Sequence, residues 1–149
     1  MGVEIVTIGK GRKVATQRVK EKATRILKLL NQNRAELSLA LVGNREIRQL
    51  NKRFRKKNEP TDVLSFPLGG SLPTRKRLLG DVVISVERAE RQARESRKNL
   101  EAEIDTLLIH GILHLLGYDH GRSAKEARRM QRTEKRVHQA LCEPKASRV

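Results

Sequence analysis

The sequence predicts an α/β fold, α+β-like in its ordering, in which a mixed four-stranded sheet is packed by about five helices around a central, histidine-bearing helix. Three observations lead there. Short runs rich in Val, Ile and Leu alternate with amphipathic stretches, first singly and then as a block of helical pattern towards the C-terminus. The stretch from Asn99 to Leu116 is apolar almost all round, as a helix buried on every side must be. No internal repeat and no linker divides the 149 residues, so residues 1–143 read as one domain, with residues 144–149 as a disordered tail.

Val3 to Ile8 reads as a first strand, ended by Gly9-Lys-Gly11. From Val14 to Leu30 the apolar positions Val19, Ala23, Ile26, Leu27 and Leu30 form one stripe of a helix whose other face is basic. Leu37 to Val42 is a second strand. Asn44 is a reasonable N-cap for a short helix that turns Ile47, Leu50 and Phe54 inward. The segment from Lys52 to Asp62 joins a dense basic run to a turn at Pro60, and on composition alone it reads equally as a solubilising loop.

Val63 to Pro67 is a third strand, which the proline ends or places at an edge. Leu68 to Leu79 reads as a basic loop. Gly80 to Val86 is a fourth strand, its continuous apolar run implying burial on both faces. Glu87 to about Arg97 is a charged surface helix with Ala89 and Ala93 inward. Ser123 and Glu126 form a capping box for a last helix whose inward residues are Ala127, Met130, Val137 and Leu141. The predicted order is βαβαββααα.

On the central helix, His110 and His114 lie one turn apart on one face. Gly117 follows where a left-handed residue would end the helix and turn the chain back, bringing His120 towards the first two. Three imidazoles with a fourth position open suit a catalytic zinc better than a structural one, although imidazole sites accept other transition metals. The spacing is also that of metzincin proteases, but Gly111 stands where such an enzyme needs its glutamate base.

The formal net charge of +16, from 33 Lys and Arg against 17 Asp and Glu, points to a polyanionic partner, nucleic acid being the commonest; a solvated basic surface is the alternative. With Phe54, Phe66 and Tyr118 the aromatics of the whole chain, stacking of bases cannot be the main mode of recognition, and phosphate contacts must carry it. Cys142 is a lone cysteine, which excludes an internal disulfide and fits a reducing compartment. The N-terminal residues lack the pattern of a signal peptide, and no run approaches the roughly 18 apolar residues that span a bilayer. The expectation is a cytoplasmic protein with no membrane partner.

The motif His110-Gly-x-Leu-His114-Leu-x-Gly117-Tyr-Asp-His120 resembles the signature of the YbeY family, bacterial single-strand endoribonucleases and ribosomal RNA maturation factors. Asn51 to Lys57 and Pro60-Thr-Asp-Val-Leu-Ser-Phe-Pro67 are similar to that family's second motif, and Gly80 to Ser85 to its third. The resemblance implies one zinc per chain, held by His110, His114 and His120, and RNA cleavage in which Arg55 and His114 are catalytic. It also implies single-stranded RNA, ribosomal RNA and the ribosome as partners, with a ribosomal protein or GTPase to direct the enzyme, and work at the 16S rRNA 3′ end and in ribosome quality control. Two features differ from the family's usual pattern: Gly121-Arg122-Ser-Ala-Lys125 is basic, and the loop before the fourth strand carries Arg75-Lys-Arg77. Asp119 could orient a ring or shape a turn, and Glu103 could stand in for a protease's base. A metalloprotease and a non-catalytic RNA- or ribosome-binding assembly factor with a structural metal are the rival readings.

Overall fold

A computed structural model describes residues 2–67, 77–119 and 121–142. The strands are β1 (Val3–Thr7), β2 (Ala35–Val42), β3 (Val63–Pro67) and β4 (Arg77–Ser85), and the helices are α1 (Thr16–Leu29), α2 (Asn44–Arg55), α3 (Val86–Glu95), α4 (Leu100–Leu115) and α5 (Ala124–Cys142), with a short 3-10 turn at Gly9–Lys13. The sheet order is β1-β2-β4-β3. β1 and β4 both run parallel to β2, while β3 runs antiparallel to β4 at the edge, so the sheet is mixed as expected and Pro67 lies in an edge strand.

Parallel neighbours need crossover connections, and the β1–β2 crossover helix α1 covers one face of the sheet together with α4 and α5. There Leu37, Leu39 and Leu41 of β2 and Val82 and Ile84 of β4 pack with Ile26 of α1, Ile112 of α4 and Met130 of α5 into the main core. α4 lies at its centre, with Leu108, Ile112 and Leu113 wholly buried. The opposite face carries a smaller cluster of Val42, Ile47, Leu64 and Val83 under α2.

Three expectations need correction. β4 begins at Arg77, inside the stretch read as loop, because the backbone of Arg77 and Leu78 pairs with Ala35 and Glu36. Residues 68–76 of that stretch, with Arg75 and Lys76, lie outside the described residues, as do His120 and residues 143–149. Gly43, not Asn44, is the N-cap of α2. Glu46 accepts from the Gly43 N–H and Glu87 from the Asn44 N–H, both at 2.8 Å, while the Asn44 side chain accepts from the Ser85 hydroxyl. Phe54, expected inward, is 55% exposed. Helix α2 covers only part of its face, leaving an open groove that Phe54 lines with Val6, Ala40 and Leu50; Phe54 keeps an edge-on contact with Phe66, ring centroids 5.4 Å apart.

At the N-terminal end of α4 a charged network closes the core. Lys22 pairs with the buried Asp105 at 2.8 Å and Arg18 with Glu101 at 2.7 Å. Burial pushes the Asp105 carboxyl up, and Lys22 only partly offsets this. Burial lowers the Lys22 ammonium, but the hydrogen bonds and charges of Asp105 and Glu101 together outweigh it and leave it raised.

Candidate active site

Helix α4 ends in the geometry its sequence calls for. Gly117 takes φ +96°, the Gly117 N–H donates to the His114 carbonyl, and the Tyr118 N–H donates to the Leu113 carbonyl, each at 3.0 Å. The chain therefore turns sharply just after the C-cap Leu116, and the last two turns present His110 and His114 with ring centroids 4.7 Å apart. Asp119 is committed to the turn that follows: its Oδ1 accepts from the Gly121 N–H at 2.8 Å, and Arg122 lies 3.7 Å from its other oxygen. Of its two expected roles, the turn-shaping one is occupied.

Both histidines line a cavity of about 870 Å³ with Asn51 and Arg55 of α2, residues 59–65, Pro67 and Arg88 of α3. Its walls come from α2, β3, α3 and α4, so Arg55 and Lys57 of the basic run after Asn51, which on composition alone read equally as a solubilising loop, border the same cavity as the histidines. α2 stops because Lys56 adopts a left-handed conformation, φ 60°. The next segment is tied back by the buried Asn51, whose Nδ2 donates to the Glu59 carbonyl at 2.9 Å. Asp62 holds the far end of the loop, accepting from the Val63 N–H and from Gln92 of α3.

Arg55 is joined to the histidine helix through one residue. Its Nη2 donates to the Ser65 carbonyl at 2.9 Å, and the Ser65 hydroxyl donates to the Gly111 carbonyl at 3.1 Å. The guanidinium also lies over the Phe66 ring, 5.9 Å from its centroid. Ser65 is buried, so the relay runs through the packed contact between β3 and α4.

Gly111 explains itself in this contact. A Cβ there would meet Val82 Cγ1 at 2.8 Å and Ser65 Oγ at 3.3 Å, with Val82 completely buried. Position 111 packs against the sheet and is not among the residues that line the cavity, so a glutamate there would have no room. Glu103, the other expected base, is buried at the start of α4 and pairs with Lys98 at 3.3 Å, outside the cavity lining. Gly111→Ala should lower stability: helix propensity gains about 1 kcal/mol, but overpacking against a rigid Val82 costs about 1–3 kcal/mol. Chemical denaturation of the two proteins checks this, and a more stable variant would mean that the contact is looser than drawn.

Sequence reasoning missed Glu134 of α5. Its Oε2 lies 2.8 Å from Nδ1 of His110. The signal was present: Met130, Glu134, Val137 and Leu141 fall on one helical stripe, and a carboxylate among three buried apolar residues needs a partner across the interface.

Three imidazole-type ligands were expected. Among the described residues no group of three or more His, Cys, Asp or Glu forms a metal-holding cluster, and His120 is not among them. His110 and His114, adjacent and both open to the cavity, have the donor chemistry of a transition-metal site, for which they would supply two ligands.

By fold and site this is a small mixed α/β protein whose edge strand carries a basic cavity floored by paired histidines. Residues 5–142 match the family described as Endoribonuclease YbeY, and the chain belongs to that family. It is 48% identical to the Endoribonuclease YbeY of Aquifex aeolicus, over 86% of this chain and 85% of that one. It is 50% identical to the protein of that name from an Anaeromyxobacter species, over 85% of this chain and 65% of its relative. The solution structure of TM1509 from Thermotoga maritima, 34% identical, superposes with a TM-score of 0.67 over 93% of this chain and 88% of the other.

Proposed function

We propose that the protein is a zinc-dependent, single-strand-specific endoribonuclease of ribosomal RNA maturation, acting at the 16S rRNA 3′ end and in ribosome quality control. The observation that carries the reading is the convergence of Arg55, His110 and His114 on one cavity, in a chain whose relatives are named as endoribonucleases. His110, His114 and His120 are the proposed zinc ligands. When bound, the ion would supply Lewis acidity and acidify water near neutral pH.

The chain's own residues do the rest. Arg55 presents a planar donor fork to a phosphate and stabilises the charge that grows on its oxygens in the transition state. Its hydrogen bond to Ser65 holds the side chain in place before substrate arrives. Lys57 and Arg88 on the same cavity attract and orient neighbouring phosphates. A ribosomal protein or GTPase that brings the enzyme to the ribosome, and a cytoplasmic setting, complete the proposal; no helix among the described residues is long and apolar enough to cross a membrane.

Purified protein, incubated with defined single-stranded and duplex RNAs with and without chelator, tests this. Chelator-sensitive cleavage of the single strand is expected. Binding without cleavage under every condition would favour the assembly-factor reading. The affinity for RNA should also fall steeply with salt, because cations and not stacked aromatics make the contacts. Unchanged binding between low and moderate salt would overturn the phosphate-dominated picture.

A further inference from the structure

Helix α5 closes over the end of α4, and most of that contact is apolar: Met130, Val137 and Leu141 are buried against the main core. Glu134 breaks the pattern, and its carboxylate reaches the one ring nitrogen of His110 that lies on the α5 side. Both side chains are partly screened from water, His110 at 29% and Glu134 at 31% exposure. An exposed ion pair would contribute little, but a hydrogen bond to an imidazole also decides which nitrogen carries the proton.

We infer that Glu134 is a positioning residue that holds His110 as the Nδ1–H tautomer and fixes its ring plane, so that Nε2 bears the lone pair offered to a metal. A carboxylate can only accept, so Nδ1 must donate. With the proton on Nδ1, the lone pair belongs to Nε2 whatever else that atom contacts. The negative charge behind the ring also makes Nε2 a better electron donor, the usual effect of a carboxylate on a ligand histidine. The inference rests on the proposed metal site but adds to it a residue on a different helix, so that the packing of α5 onto α4 and the readiness of the ligand set become one property.

The experiment uses the full chain as wild type, Glu134→Ala and Glu134→Gln. Nitrogen-15 spectra of the His110 ring, recorded without metal at alkaline pH where imidazole is neutral, read the tautomer directly. Wild type should show the Nδ1–H form and Glu134→Ala a mixture, with Glu134→Gln between them because its amide can accept from Nδ1 or donate to it. Zinc affinity, measured by competition with a chromophoric chelator, should fall by about 10- to 100-fold in Glu134→Ala. Glu134→Gln, neutral and able to accept, should recover part of that loss.

A pure tie between helices would behave otherwise. Glu134→Ala would then melt earlier while its tautomer and zinc affinity matched the wild type, and that result overturns the inference. A wild type that shows the Nε2–H form overturns it too. Failure of the wild type to take up zinc would instead overturn the metal site itself, and the metal-free spectra keep the two failures apart.

Discussion

Arg55→Ala should keep the fold and the metal content of the parent protein while losing about 10²- to 10³-fold in single-turnover cleavage of single-stranded RNA, the size expected when one preorganised donor to a developing oxyanion is removed. The fold should survive because Arg55 is solvent-exposed and contributes one hydrogen bond, to Ser65, worth about 1 kcal/mol. The loss should fall on turnover more than on binding, since Lys57 and Arg88 still attract the phosphates. Arg55→Lys should recover little, because an ammonium does not reproduce the planar fork. Equal rates for wild type and Arg55→Ala, at matched metal content, would remove the catalytic role.

His114→Ala should abolish both metal uptake and cleavage. The ring sits one turn from His110 at the cavity floor, in the middle of the proposed ligand set, and two remaining imidazoles make a weak site. Elemental analysis of the purified variant reads the first effect and the RNA assay the second. Full metal content in His114→Ala would dismiss the ligand assignment, whatever happened to the rate.

The parts of the fold legible from sequence were those fixed by local pattern. Asn99 to Leu116 announces a buried helix by having no polar face, and Gly117 announces its end because few other residues tolerate that φ. Partnership across the chain was less visible. Arg77 and its neighbours look like loop until β2 supplies hydrogen bonds, and Phe54 looks inward until the limited reach of α2 over the sheet is known. In the site, His110 and His114 could be paired by counting along one helix. Glu134 could not, because its partner lies 24 positions away on another helix and helical periodicity says nothing about which helices will touch. Gly111 was read from what it lacks, a protease's carboxylate; its cause, a valine side chain pressed against the helix, belongs to the packing.

Ser65 stands between the two halves of the cavity, taking a hydrogen bond from Arg55 on its carbonyl and giving one to Gly111 from its hydroxyl. The guanidinium and the imidazoles are thus set by a common gauge, as parts clamped in one jig. Both hydrogen bonds meet at one buried residue, so the anchor of Arg55 and the histidine helix are spaced by strand packing. A change that loosens β3 would therefore displace the anchor of Arg55 and the backbone contact of the histidine helix together.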